Sequence, residues 1–166
     1  MREKKAKDAY NRRYEASIKD ELTGLYNRRG FEVDCEIIKK NNNLIEYVLI
    51  MMDLNGLKAA NDNIGHEAGD ELIIGASKCM GNAFSGLGRT YRLGGDEFVA
   101  MTRIDENITT NKINQEIKNN FAKFNKICDK PYYVETSVGL YQFKGEESIL
   151  VANLISEADK YLYCLL

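Results

Sequence analysis

The sequence predicts an α+β domain: a ferredoxin-like βαββαβ-type sheet with helices packed on it, preceded by an N-terminal stalk helix. Three observations predict it. Apolar, β-branched runs of strand length alternate with stretches of helical period. Two of those runs are joined by Gly94-Gly95, which suits the positive φ angles of a tight hairpin. The chain has 166 residues, the size of one compact domain and too short for two full ones. With the hairpin between its second and third strands, the element order is the ferredoxin-like one.

Residues 1–19 are charged and contain neither Gly nor Pro, and Ala6, Tyr10, Tyr14 and Ile18 recur every four residues. That stripe is narrow, so the segment reads as a stalk or linker helix, with Arg2, Lys4, Lys5, Arg12 and Arg13 on its solvated face. Residues 20–166 form the domain proper. After Asp20–Asn27 (DELTGLYN) a second helix runs through Phe31, Val33, Cys35, Ile37 and Ile38 and ends at Asn41–Asn43. Leu44–Asp53 is nearly all apolar and stops at a carboxylate, as expected of a central strand covered on both faces. Leu57 to about Phe84 reads as helix, interrupted at Ile64-Gly65-His66, where His66 belongs to a tight helix junction. Arg89–Leu93 and Glu97–Arg103 are the hairpin strands. Thr109–Cys128 is a helix with Ile113, Ile117, Phe121 and Phe124 as its apolar face. Pro131 precedes a strand over Tyr132–Phe143, and Ile149–Leu162 is the last helix.

Composition narrows the function. Lys and Arg number 23 against 25 Asp and Glu, a net charge of −2, so no basic excess calls for a nucleic acid polymer or an anionic membrane. The longest apolar run, Val48–Met52, is too short to span a bilayer, so no direct membrane insertion is expected. MREKKAK at the amino end lacks a signal peptide's apolar stretch. Cys35, Cys79, Cys128 and Cys164 form no C-x-x-C pair, and with His66 as the single histidine a zinc cluster is not expected. They read as core residues of a cytoplasmic, reducing compartment.

The chemistry concentrates at the carboxyl end of the first long strand. In the predicted topology that strand lies antiparallel to the third, so Asp53 meets Asp96 and Glu97 at one rim. Carboxylates so close repel, and oxygen-only donors favour Mg²⁺ or Mn²⁺, with the shell completed by substrate phosphates. Paired ions of this kind suit phosphoryl transfer. The alternative is that Asp53 caps the next helix and Asp96 and Glu97 are turn residues; for either segment alone that alternative is the better bet, and the two segments together with the spacing from Asp53 to Asp70 favour the metal reading. Asn55-Gly56 lies between strand and helix, where backbone N–H groups of a segment continuing into Leu57 and Lys58 can hold phosphate oxygens. Lys58 could add its charge or simply be solvated. Asn61 and Asp70 are candidates for reading a base, guanine's paired N–H donors suiting a carboxylate acceptor. As alternatives, Asn61 is a helix-terminal cap and Asp70 an exposed helix residue.

Arg92-Leu93-Gly94-Gly95-Asp96-Glu97-Phe98 resembles the signature of GGDEF domains, the diguanylate cyclases. It comes with DELTGLYNRRGF at Asp20–Phe31, the DLNGLK…ND…GH…GD run at Asp53–Asp70, Ser137-Val138-Gly139, and EADKYLY at Glu157–Tyr163, which resembles the family's last helix. The matches keep the family's order. The resemblance implies a nucleotide-cyclase-like fold and condensation of two GTP into cyclic di-GMP and two pyrophosphates by two facing copies. It assigns two metals per site to Asp53, Glu97, Asp96 and the Leu54 carbonyl, with Asp96 also deprotonating the 3′-hydroxyl. It assigns guanine to Asn61 and Asp70, and makes Gly94 and Gly95 the side-chain-free approach to the nucleotide. It further implies an upstream sensory domain, within a cytoplasmic part of a larger, membrane-anchored or soluble, bacterial signalling protein.

Three departures accompany it. Asn55 stands where many members have a second Asp, and Gly56 where they have an aromatic. Ser85-Gly86-Leu87-Gly88 replaces the Arg-x-x-Asp of the inhibitory product site. Cys164-Leu165-Leu166 occupies the place of the family's basic ending, so either the sequence is cut short or phosphate binding is weakened. The alternative function is therefore a weak or inactive GGDEF module that binds GTP or a protein partner.

Overall fold

The computed structural model describes residues 2–41, 45–128, 130, 132–145 and 151–164. The expectations placed on Asn42–Leu44, Pro131, Ile149 and Leu166 lie outside them. The order is α1 (Arg2–Ser17), β1 (Tyr26–Asn27), α2 (Arg28–Asn41), β2 (Glu46–Leu54), α3 (Leu57–Asn63), α4 (His66–Ala83), β3 (Gly88–Gly94), β4 (Glu97–Arg103), α5 (Thr110–Ile127), β5 (Thr136–Lys144), α6 (Val151–Asp159) and β6 (Tyr163–Cys164). The sheet runs β1-β3-β4-β2-β5-β6. Its four long strands, β3-β4-β2-β5, pair antiparallel throughout, which is the expected ferredoxin-like sheet.

β2 is central, and side-chain alternation splits it between two cores. Val48, Ile50 and Met52 meet α4 and α5 through Leu72, Ala76, Ile117 and Phe121. Leu49 and Met51 face the other side, where Phe31 and Cys35 of α2 and Leu154 and Ala158 of α6 cover them. Helices on both faces explain why Val48–Met52 reads as a continuous apolar run. Each such side chain removed from water contributes about 1.5–3 kcal/mol. On α5, Thr109 caps the first turn, its hydroxyl accepting from the Lys112 N–H, and Ile113, Ile117 and Phe121 are buried as the periodicity predicts. α1 buries little beyond its exit residue Ile18, and Tyr10 is exposed, as befits a stalk. Gly65, at φ 120°, makes the α3–α4 junction, and His66 stands at the start of α4.

Four expectations change. The hairpin loop is Gly95-Asp96, because Gly94 still pairs with Glu97 and the register shifts between Arg92 and Gly94. Leu93 is the extra residue of that bulge, and Gly94 and Gly95 take φ of 152° and 51°, which side-chain-bearing residues rarely adopt. The fifth strand begins at Thr136 rather than Tyr132. The last helix ends at Asp159, and Tyr163-Cys164 pairs with β5 at the sheet edge instead of extending the helix. Finally, Cys35 and Cys79 are core residues, their thiols pushed by burial up to about 12, but Cys128 is only half-buried.

Candidate active site

Two registers assemble the rim. Asp53 lies opposite Glu97 on β4 and opposite Ser137 on β5. The Leu54 N–H donates to the Asp96 carbonyl at 3.0 Å, tying the hairpin loop to the end of β2. The buried Thr136 hydroxyl donates to the Asp53 carbonyl at 3.0 Å from the other side. Asp53 does not cap a helix: the N-cap of α3 is Gly56, and no side chain caps it.

The electrostatics match the arrangement. Burial, followed by the charges of Asp96, Glu97 and Asp159, pushes the Asp53 carboxyl above its ordinary value. Asp159, at the end of α6, is not among the sequence candidates; its place in EADKYLY gives no hint of long-range convergence. Glu97 is half exposed and faces Arg28 at 3.8 Å, a surface pair of small energetic weight.

A cleft of about 620 Å³ opens from this rim over the start of α3. Asp53, Leu54, Asn55, Gly56, Leu57, Lys58 and Asp96 line it, as do Ala59, Asp62 and Asn63, which sequence reasoning missed. Asp62 follows Lys58 by one helical turn, so the lining of α3 could have been read from the i,i+4 spacing. Glu97, Gly94 and Gly95 stand beside the cleft rather than in its wall. The Asn55 N–H is bonded to the Glu135 carbonyl at 2.9 Å, and its Oδ1 accepts from the Ser137 hydroxyl at 3.2 Å. The segment from Gly56 into the first turn of α3 is therefore where unbonded backbone donors fall.

Asn61 and Asp70 sit apart from that wall. A Cβ on Gly69 would overlap the Asn61 amide oxygen and come within 2.8 Å of its Cγ, so Gly69 is what lets the amide lie flat on α4. Asp70 follows directly and is exposed. Asn61 thus packs on α4 at the residue before Asp70, and neither candidate lines the cleft.

The chain resembles known proteins in sequence and in fold. The family model "Diguanylate cyclase, GGDEF domain" matches residues 17–166. The chain is 30% identical over 149 residues to the signaling protein YkoW of Bacillus subtilis, covering 87% of this chain and 18% of that protein. It is 39% identical over 79 residues to the diguanylate cyclase VdcA of Vibrio cholerae, covering 48% of this chain and 23% of that one. The chain therefore spans about a fifth of the length of these relatives. Diguanylate cyclase SiaD of Pseudomonas aeruginosa, solved with its activator SiaC, superposes with a TM-score of 0.78 at 22% identity, covering 96% of this chain and 62% of that one. The coiled coil and GGDEF domain of DgcB from Caulobacter crescentus, solved with c-di-GMP, gives 0.77 at 17% identity, covering 95% and 84%. At those identities the structures speak for the fold, and the family match speaks for the lineage. From the end of its stalk helix onward, the chain belongs to the GGDEF diguanylate cyclase domain family.

Proposed function

We propose that this chain is a diguanylate cyclase unit that condenses two GTP into cyclic di-GMP and two pyrophosphates, working as two facing copies. The observation that supports it most is the meeting of Asp53, Asp96 and Glu97 at one rim, with the Asp53 charge held at a cost by its neighbours. Among the described residues no three acidic, His or Cys side chains form a closed metal cage. A few carboxylates beside an open cleft fit a hard cation that takes its remaining oxygens from a substrate. Asp53, Glu97, Asp96 and the Leu54 carbonyl would hold two Mg²⁺ or Mn²⁺, whose charge would offset that of the triphosphate.

In the reaction the 3′-oxygen of one GTP forms a bond to the α-phosphorus of the other, and the bond to the β-phosphate oxygen breaks. Asp96 takes the hydroxyl proton, and pyrophosphate leaves. Lys58 and the backbone from Gly56 to Leu57 hold phosphate oxygens, while Asn61 and Asp70 read guanine. Gly94 and Gly95 leave the nucleotide's approach clear of side chains. Each copy contributes one nucleotide, so turnover requires a homodimer, and the stalk α1 joins it to an upstream sensory domain.

Chromatography of products after incubating concentrated protein with GTP and Mg²⁺ tests the reading. The expected products are cyclic di-GMP and pyrophosphate, absent in the folded Asp96→Asn variant. Bound but unconverted GTP, with a dimerising helix fused ahead of Met1 as well as without it, would favour the regulatory-module reading instead.

A further inference from the structure

The end of β2 is gripped from the β5 side. On the last turn of α5, Asn125 pairs its side-chain amide with Val134 in both directions. Its Nδ2 donates to the Val134 carbonyl at 2.9 Å, and its Oδ1 accepts from the Val134 N–H at 2.8 Å. Val134 is fully buried, so this clamp fixes the chain just ahead of Glu135 and Thr136. Those two residues hold β2 on either side of Leu54. The Glu135 carbonyl accepts from the Asn55 N–H at 2.9 Å. The Thr136 hydroxyl donates to the Asp53 carbonyl at 3.0 Å, with the Ser137 carbonyl of its own strand at 3.1 Å as the competing acceptor.

Peptide geometry turns these grips into an orientation. The Leu54 carbonyl and the Asn55 N–H share one plane, and in a trans peptide they point in opposite directions. With the N–H drawn to Glu135 on the β5 side, the Leu54 carbonyl faces the β4 side, where the Leu54 N–H meets Asp96. Residues of the β5 side thus aim the carbonyl that would hold a metal. Thr136 is 2% exposed, and a buried hydroxyl costs free energy unless it is bonded. Valine would fill the same space, so the hydroxyl serves the bond rather than the packing.

We infer that Thr136 is a positioning residue for the metal-holding end of β2, with Asn125 fixing the segment from which it acts. The inference rests on the cyclase reading for its consequence in metal binding, but not for the grip itself. Neither residue lines the cleft, so both act through the β2 backbone.

The full chain is tested as Thr136→Val, which removes the hydroxyl, as Thr136→Ser, which keeps it, and as Asn125→Ala. Mn²⁺ binding is read by electron paramagnetic resonance with a non-reacting GTP analogue present. The Kd for Mn²⁺ is expected to rise about ten-fold in Thr136→Val and to return within about two-fold in Thr136→Ser, as when a group that orients a metal ligand is lost and restored. The Asn55 amide is expected to exchange about ten-fold faster in Thr136→Val and Asn125→Ala, with Ile50, deep in β2, unchanged. Unchanged Mn²⁺ affinity in Thr136→Val overturns the positioning role, as does a loss that Thr136→Ser fails to restore. Equal acceleration of Asn55 and Ile50 overturns the grip, because it marks a general loss of stability. If Thr136→Val does not fold, Asn125→Ala decides: weaker Mn²⁺ binding with faster exchange confined to Asn55 supports the role, and unchanged Mn²⁺ binding overturns it. If the unmutated chain takes up no Mn²⁺, the cyclase reading falls and the positioning role with it, and the Asn55 exchange still decides the grip.

Discussion

Asp20 and Asp53 have opposite surroundings. Burial disfavours the Asp20 charge, yet the Thr23 hydroxyl and amide and the Arg92 guanidinium outweigh it and hold the carboxyl below its ordinary value. Asp34, further along the sheet, is served likewise by Arg89 at 2.9 Å and the Tyr91 hydroxyl at 2.6 Å. Asp53 receives like charges instead, and its carboxyl is pushed up. A fold that pairs two carboxylates so completely can supply partners; at Asp53 it gathers anions, which suits a cation arriving with a ligand. Asp20 and Asp53 differ in their neighbours more than in their burial.

The comparison predicts opposite responses to the same substitution. Asp53→Asn should lower cyclase turnover on the order of a thousand-fold, measured as product per GTP consumed. It should also raise the melting temperature near pH 7 by a few degrees, since removing the charge relieves repulsion. That gain shrinks as pH falls, because the raised carboxyl of the unmutated chain then takes up a proton in the folded state and the repulsion disappears by itself. A melting temperature that falls at neutral pH would erase the distinction between the two acids.

Asp20→Asn should cost stability, about 1 kcal/mol near neutral pH after discounting for its partial exposure. Its folded-state carboxyl is lowered, so its contribution is present above the ordinary carboxylate range and lost as pH falls through the depressed value. Urea unfolding at several pH values should show the two chains converging in acid; a constant difference would mean that the charge of Asp20 is irrelevant. The smallest effect belongs to Gly69→Ala. Its methyl must displace the Asn61 amide, and GTP binding measured by calorimetry should weaken about three-fold. Unchanged affinity would remove Asn61 from base reading.

Much of the rim is legible in the sequence because strand pairing fixes it. An apolar run ending at Asp53, and a second strand starting at Glu97, meet in any ferredoxin-like order, and the observed register places them opposite each other. The loop lies one residue from its expected place because a bulge at Leu93 depends on how β3 meets β4, which no local pattern encodes. The end of α6 escapes the sequence for a related reason. Tyr161-Leu162-Tyr163 has no period that separates helix from strand over so few residues, and pairing with β5 decides it. Arg92 stands within the signature, but its tie to Asp20 crosses 72 positions, a distance over which only the folded sheet speaks.

The most direct test of the contrast is the melting temperature as a function of Mg²⁺ or Mn²⁺ concentration, with a non-reacting GTP analogue present, for the unmutated chain and Asp53→Asn. Binding to the folded state alone raises the melting temperature with ligand concentration. The account predicts that the unmutated chain starts lower and climbs with metal, while Asp53→Asn starts higher and stays nearly level. Parallel climbs in the two chains would contradict it, because the rim carboxylates would then have no part in holding the cation.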